Sequence, residues 1–307
     1  MTSNKIIPYI AILSSITFWG VSYISSDLCL NYMQPITLVT LRCIIAAIIL
    51  LVVWKVKEPN TKIIKKHMPR MFSSGFVGIV CYFIFEFYGI KYTSPAVAAI
   101  ILAAIPIISL IAQKILGREE LNIFKVMGVV ISLVGVTLVI GIGVPNINHD
   151  GELIGYLCML GAALSWVVFN YITLPLYNHY TPLTITTFQM VTGAFAIVPI
   201  FILSGEPIPI INATVTVNVL FLAVFCSALG ILFYMYAFKS LGIVTTTLFI
   251  NIQPFVTVIA SMIVLKEFLS TNQVIGGLLV IGAVYLSSYK KRLYDTKSKD
   301  EKTILES

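Results

Sequence analysis

Arg42 and Glu86 are the two ionisable residues that lie well inside long apolar stretches of this sequence. If those stretches cross a membrane, a buried arginine or carboxylate costs about 2.5–3.5 kcal/mol on insertion scales, so each should face the protein interior and have a partner. Counted from the ends of their stretches, both lie roughly 8–9 Å below the same membrane surface, at a rise of about 1.5 Å per residue. The sequence therefore predicts that the two side chains can meet.

Two interpretations of this pair stay open. A fixed contact would lock two helices together, which makes Arg42 and Glu86 a candidate structural ion pair. Alternatively, Glu86 contacts a substrate or exchanges a proton. A nearby arginine favours the charged form of a carboxyl group, so protons are a candidate coupling ion only if transport separates the pair.

Aromatic and amide side chains recur at positions where they could line a binding cavity. Aromatic faces and edges bind amphipathic or cationic ligands. Neither Trp19 nor Trp166 lies at the end of its stretch, where membrane tryptophans usually anchor. Core packing is the competing interpretation for all of these side chains. The candidate substrate-binding residues are Trp19, Tyr23, Glu86, Trp166, Asn170, Tyr234, Asn251 and Gln253.

Pro106 and Pro254 lie near the middle of two apolar stretches. A proline inside a helix removes one backbone hydrogen bond, which would free the carbonyls of Leu102 and Ile250. At membrane depth such carbonyls are tolerated only beside protein or water. We expect a helix kink at each proline, either as a packing feature or as part of a substrate path.

The residues that enzymes use are poorly placed for catalysis. His67, His149 and His179 all fall in polar connections, and no phosphate-binding loop, HExxH pattern or serine elbow is present. The five cysteines lack the CxxC or histidine spacing of a metal site. The net charge of +7 comes from scattered basic residues rather than from one basic face. The sequence thus predicts no catalytic residues, no metal, no cofactor and no nucleic-acid partner.

Composition indicates a membrane protein. Apolar residues make up 58% of the chain and charged residues 11%, against roughly 45–50% and about 25% in soluble domains. Stretches of about 20 apolar residues recur, each long enough to span the hydrocarbon as a helix. The sequence predicts ten transmembrane helices, near residues 6–26, 36–54, 70–91, 95–115, 122–142, 152–173, 182–203, 216–239, 245–265 and 273–289.

The distribution of lysine and arginine predicts the orientation. With the N-terminus inside, seventeen of the twenty basic residues lie in cytoplasmic segments and two, Lys91 and Lys266, in outer loops. This bias follows the positive-inside rule, which the reversed orientation would violate. We therefore expect a multi-pass protein of the plasma (inner) membrane with both termini in the cytoplasm.

The two halves of the sequence match at an offset of 147 or 148 residues. Because each half has five predicted spans, an odd number, the second enters the membrane from the opposite side. Such inverted repeats recur in secondary transporters. The predicted domains are five-helix repeats at residues 1–142 and 152–290, an outer linker at 143–151 and a polar cytoplasmic tail at 291–307. The matched pairs are Trp19 and Trp166, Arg42 and Gln189, Tyr88 and Tyr236, Lys91 and Lys239, Pro106 and Pro254, Glu119 and Glu267, and Gly128 and Gly276.

Several of these motifs resemble the drug/metabolite transporter (DMT) superfamily and, within it, the EamA family. The resemblance covers residues 6–290 and implies a carrier with a central cavity between its halves, surrounded by spans one, six and eight. Members often export amino acids or other metabolites. Gln189 stands where the first half has Arg42, so a role of that arginine need not be doubled. The motifs are Phe18-Trp19-Gly20, Arg42, Pro106, Pro254, Arg118-Glu119 and Lys266-Glu267.

We therefore expect a secondary membrane transporter that moves small polar or amphipathic metabolites by alternating access. Amino acids or related compounds are the candidate substrates, and export is a candidate direction. Two alternatives stay open: a membrane sensor or assembly protein without flux, and an importer of cationic or sugar-like solutes. The expected partners are a small-molecule substrate and the lipid bilayer, and the sequence specifies no oligomeric state.

Overall fold

The structure is a computed structural model that describes residues 6–92, 101–116, 123–140, 152–207, 209, 211–265, 271–272 and 274–286. All regular secondary structure in these residues is helical. The predicted all-α class is therefore confirmed for the part of the chain that is described. The predicted linker at 143–151, the tail at 291–307 and the pairs Arg118-Glu119 and Lys266-Glu267 lie outside the described residues.

The helices follow the apolar stretches, because a backbone in lipid must satisfy its hydrogen bonds within its own segment. Two 3₁₀ turns, Lys65–His67 and Leu174–Asn178, and two π-helical segments, Phe76–Cys81 and Leu222–Leu229, complete the described helices. The α-helices are α1 (Ile7–Leu30), α2 (Pro35–Lys57), α3 (Met68–Gly75), α4 (Tyr82–Tyr92), α5 (Ile105–Ile115), α6 (Ile123–Ile140), α7 (Glu152–Thr173), α8 (Pro182–Ser204), α9 (Ala213–Phe221), α10 (Gly230–Leu241), α11 (Ile243–Ile250), α12 (Gln253–Leu265) and α13 (Val274–Leu286).

Among the described residues, six helical segments are long and apolar enough to cross a membrane, and four shorter apolar helices of 10–17 residues accompany them. Large apolar side chains are exposed on these helices, including Leu203 at 86% and Ile115 at 77%. Such a surface suits a protein surrounded by lipid. The structure supports a multi-pass membrane protein, and the ten-span arrangement in two inverted halves stays a prediction. The six segments are Ile7–Leu30, Pro35–Lys57, Lys65–Gly89, Leu153–Asn178, Pro182–Ser204 and Ala213–Leu241.

The fourth and ninth apolar stretches are broken near their middle. Two turn residues, 103–104, separate a short helical piece from α5, and 251–252 separate α11 from α12. Pro106 and Pro254 are each the second residue of the helix that follows the break. In the first helical turn the missing N–H of proline has no intrahelical partner to lose. The structure therefore has helix breaks where the sequence suggested kinks within continuous helices.

Two π-helical segments lie at corresponding places in the third and eighth stretches. Phe76–Cys81 joins α3 to α4, and Leu222–Leu229 joins α9 to α10. A π turn takes one more residue than an α turn and recurs at functional sites. Each segment therefore sets which face of the following helix, α4 or α10, points to the interior.

The most extensive helix contact joins α2 and α8. Glu206, just after α8, accepts hydrogen bonds from the backbone N–H and the hydroxyl of Thr37 at the start of α2, both at 2.7 Å. Glu58, just after α2, accepts hydrogen bonds from the hydroxyls of Thr181 (2.7 and 2.8 Å) and Thr184 (2.5 Å) at the start of α8. The end of each helix thus meets the start of the other, so the pair is antiparallel.

Candidate functional site

A central cavity of about 120 Å³ lies among α1, α2, α4, the start of α5, α7, α10 and the broken segment α11–α12. Five of the eight candidate binding residues line it, and so does Arg42. Three candidates, Asn170, Tyr234 and Asn251, do not. The lining consists of Trp19, Ser22, Tyr23, Ser26, Leu30, Arg42, Tyr82, Phe83, Glu86, Phe87, Ile105, Trp166, Ile231, Ile250 and Gln253.

Aromatic rings form one wall of the cavity. Trp19 and Trp166 meet edge to face with their ring centroids 5.6 Å apart, and Tyr82 packs on Trp166 at 4.8 Å. The indole Nε1–H of Trp19 donates to the carbonyl of Cys226 at 2.9 Å. Gly230 leaves room for that indole, because a Cβ there would lie 2.8 Å from its Nε1. The wall is thus held by ring packing and, at Trp19, by a hydrogen bond to the backbone.

Arg42 and Glu86 both line this cavity. They are 4% and 8% exposed, and no other charged side chain among the described residues is buried. Nε of Arg42 donates to the hydroxyl of Ser227 at 2.9 Å, and its guanidinium carbon lies 4.3 Å from the ring centre of Phe83. Oε1 of Glu86 accepts a hydrogen bond from the hydroxyl of Tyr82 at 2.9 Å. In this structure the direct contacts described for both charged groups are therefore with neutral side chains.

Hydroxyl groups from α1 add a polar strip to the same cavity. Ser22 donates to the carbonyl of Trp19 at 2.7 Å. Tyr23 and Ser26 also line the cavity, and their hydroxyls make no hydrogen bond to another described residue. They are therefore available to a ligand or to water.

Asn170 and Tyr234 lie behind the aromatic wall, fully buried. Nε1 of Trp166 donates to the hydroxyl of Tyr234, which donates to Oδ1 of Asn170, both at 3.2 Å. Nδ2 of Asn170 donates to the carbonyl of Trp166 at 2.9 Å. These two predicted binding residues are thus linked to the lining tryptophan but closed off from the cavity.

The two amides of the ninth stretch have different positions. Gln253 lines the cavity, and its Nε2 lies 3.4 Å from the carbonyl of Trp19. Asn251 is buried in the helix break, where its Nδ2 donates to the hydroxyl of Ser132 at 2.7 Å and lies 3.4 Å from the carbonyl of Ala103. Asn251 therefore joins the two broken stretches, and Gln253 is the amide placed to reach a ligand.

Several residues that line the cavity or contact its lining were absent from the sequence-based candidates. Tyr82 lies four residues before Glu86, a spacing that places both on one helix face, so this signal was present. Phe83 and Ser227, which contact Arg42, had no signal, because an isolated phenylalanine or serine in an apolar stretch is ordinary core composition.

The two carboxylates at the ends of the α2–α8 pair were also missed. Glu58 and Glu206 stand 148 residues apart, so this match between the halves was available in the sequence.

Histidines do not form a metal centre in the described part of the chain. No group of three or more His, Cys, Asp or Glu side chains that could hold a metal occurs there. The rings of His67 and His179 lie 4.4 Å apart, and Nδ1 of His67 is 3.0 Å from the hydroxyl of Tyr180. This cluster links two polar connections.

Comparison with known proteins gives a consistent result. The sequence profile of the EamA-like transporter family matches residues 6–141 and again 153–289. The uncharacterised transporter YyaM of Bacillus subtilis (strain 168) is 28% identical over 96% of this chain and 98% of its own length. An uncharacterised transporter of Archaeoglobus fulgidus is 25% identical over 92% and 99%. One solved crystal structure superposes with a TM-score of 0.79 at 16% identity, covering 93% of this chain and 98% of the other, which shows the same fold.

Proposed function

The chain belongs to the EamA-like transporter family of the drug/metabolite transporter superfamily, and we propose that it is a secondary carrier of small zwitterionic metabolites, amino acids or related compounds. The carrier works by alternating access in the plasma (inner) membrane. The observation that carries this proposal is the central cavity with a buried arginine and a buried glutamate in its lining.

The two charges favour a zwitterionic ligand. Burying an unpaired charge is costly, and an ion pair usually compensates it. Arg42 and Glu86, both described, have no nitrogen–oxygen contact within 4.0 Å of each other. An ammonium group beside Glu86 and a carboxylate beside Arg42 would give each charge a direct ionic partner, each contact worth about 1.5–3 kcal/mol as a charged hydrogen bond.

The remaining lining favours a small substrate with an apolar part. Apolar faces are offered by the rings of Trp19, Trp166, Tyr82 and Phe87. The hydroxyls of the α1 strip can bind the polar end of a substrate. Aromatic faces also stabilise an ammonium group. The same wall could accommodate an amine, so cationic solutes are the second class to screen.

The predicted orientation assigns the cavity to the outer half of the membrane. Its α1 residues run from the middle of the helix to its end at Leu30, Arg42 lies near the start of α2, and Glu86 lies in the second half of its span. With both termini in the cytoplasm, each of these positions lies toward the outside. We therefore propose that this structure corresponds to an outward-facing state of a protein with two inverted five-helix halves.

Transport by purified protein in proteoliposomes tests this function. A panel of radiolabelled amino acids, amines and sugars, with and without a pH gradient, should give saturable uptake of at least one zwitterion. Glu86→Gln and Arg42→Gln should each raise its KM about 10- to 100-fold, the equivalent of one charged hydrogen bond. Glu301→Gln, in the predicted tail, is the matched control and should leave KM unchanged.

The outcomes separate the alternatives. No saturable flux of any compound would overturn the carrier function. Saturable binding without flux would indicate a membrane sensor instead. Uptake of a sugar or a simple cation that is insensitive to Arg42→Gln would exclude the zwitterion class.

A further inference from the structure

Residues at matching positions of the two halves make matching contacts. Thr37 meets Glu206 at one end of the α2–α8 pair, and Thr184 meets Glu58 at the other. These positions are related by the same offsets of 147 and 148 residues that relate Trp19 to Trp166. The offset found in the sequence therefore relates equivalent places in three dimensions.

The central cavity breaks this equivalence at four of its polar residues. Tyr23, Ser26, Arg42 and Glu86 line it and correspond to Asn170, Thr173, Gln189 and Tyr234. None of the second set lines the cavity. All four are 0% exposed.

The second set forms two hydrogen-bonded pairs, Tyr234 with Asn170 and Gln189 with Thr173. We call these four residues the inner cluster. Tyr234 donates to Asn170 at 3.2 Å, and Nε2 of Gln189 donates to the hydroxyls of Thr173 at 2.7 Å and Ser74 at 3.0 Å. The same positions that are open to the cavity in the first half are closed by hydrogen bonds here.

One atom of the inner cluster has no partner. Oε1 of Gln189 is buried and has no hydrogen-bond donor among the described residues. Buried amide oxygens are nearly always paired, so an unpaired one needs an explanation. A ligand that donates to this oxygen in another conformation provides one.

We infer that the inner cluster is a second substrate site, closed in this structure, which opens to the opposite membrane face when the cavity around Arg42 and Glu86 closes. The inference rests on the proposed carrier function and on two inverted halves exchanging their conformations. On one membrane face the substrate would be bound by the opposite charges of Arg42 and Glu86. On the other face it would be bound by the neutral amide and hydroxyl groups of the inner cluster.

The composition of the two sites gives them different selectivity. Arg42 and Glu86 present full charges, whereas Gln189 and Tyr234 present only neutral donors and acceptors. A zwitterion is therefore bound more weakly at the inner cluster, because charged hydrogen bonds are stronger than neutral ones. Weak binding on that face favours release there.

Accessibility of a matched pair of cysteines tests the inner site without a known substrate. Ser26→Cys and Thr173→Cys are conservative changes at corresponding positions, made in a variant whose five native cysteines are replaced. A membrane-impermeant maleimide applied to intact cells and to inside-out vesicles should label Ser26→Cys from one face and Thr173→Cys only from the other. Ile16→Cys, 0% exposed in α1, should stay unlabelled from both faces.

Labelling of Thr173→Cys from neither face, from both, or from the same face as Ser26→Cys would overturn the inference. Flux in the same vesicles is measured separately. Absence of saturable flux in the wild type would overturn the carrier function itself, whereas flux with an unlabelled Thr173→Cys would overturn only the inner site.

A second measurement keeps the native cysteines. Gln189→Leu should raise the KM of the amino acid found in the uptake panel about 10-fold when substrate is presented on the inner-cluster face. Its KM on the other face should change less than about 2-fold. Equal changes on both faces would mean that Gln189 acts only through the fold, and the inference would fail.

Discussion

Thr37 and Glu206 hold the start of one helix against the end of another, through two hydrogen bonds of 2.7 Å to the same carboxylate oxygen. Thr184 and Glu58 make the corresponding contact at the opposite end of the α2–α8 pair. The ends differ in one respect. The backbone N–H of Thr184 is already capped by the hydroxyl of Thr181 at 3.1 Å, so Glu58 binds only hydroxyls.

Removal of these carboxylates should affect stability unequally. Glu206→Ala should lower the free energy of unfolding by about 1–2 kcal/mol, because the backbone N–H groups at the start of α2 lose their cap. Glu58→Ala should cost less than about 1 kcal/mol, since Thr181 still caps α8. Denaturant unfolding in detergent micelles measures both, with Glu301→Ala as control. A larger loss for Glu58→Ala would contradict this assignment.

Gly230→Ala adds only one methyl group but should strongly impair transport. The new Cβ would lie 2.8 Å from Nε1 of Trp19 and 3.0 Å from the carbonyl of Phe225, so the indole must move and lose its bond to Cys226. We expect an uptake rate at least about 10-fold lower, since small misplacements in a site have large effects on rate. Gly282→Ala, where nothing lies within 4 Å of the added Cβ, should keep the wild-type rate.

A double-mutant cycle tests the polar contact at the helix breaks. Asn251→Leu should destabilise the protein by about 2–3 kcal/mol, because it leaves the buried hydroxyl of Ser132 without its donor. Adding Ser132→Ala should recover part of that loss, since both partners are then apolar. Unfolding measurements on the two single variants and the double variant give the coupling energy. Additive losses would show that the two side chains do not interact.

Reagents applied from one side should distinguish the predicted faces of the membrane. Thr61→Cys, after α2, should react with an impermeant maleimide only in inside-out vesicles. Asn146→Cys, in the predicted outer linker, should react only in intact cells. The opposite pattern at either position would refute the inverted arrangement of the halves.

The sequence predicted the helices and several residues around the cavity. It predicted less well which side chains these residues contact on other helices. Arg42 and Glu86 reach one cavity because their depths follow from the ends of their apolar stretches. Ser227 was not foreseen as a partner of Arg42, because pairing across helices depends on rotation and tilt, which hydropathy does not determine. Asn170 and Tyr234, which the sequence also suggested as binding residues, are buried and do not line the cavity.

The prolines illustrate a further limit of sequence reasoning. Pro106 and Pro254 predicted a disturbance at the correct positions, but whether a helix bends or breaks depends on what can satisfy the freed carbonyl. The buried side chain of Asn251 lies beside the carbonyl of Ala103 across the two breaks. That arrangement requires both stretches to approach each other, and no local pattern specifies it.

The π-helical segment Phe76–Cys81 makes the cavity depend on residue count as well as residue identity. One residue more per turn rotates everything after it by about 100° relative to a continuous α-helix. Deleting a single residue within the segment would therefore swing Tyr82 and Glu86 away from the aromatic wall while every functional side chain remained in the chain. The number of residues in this short segment is therefore constrained. A comparison that considers only residue types would not detect this constraint.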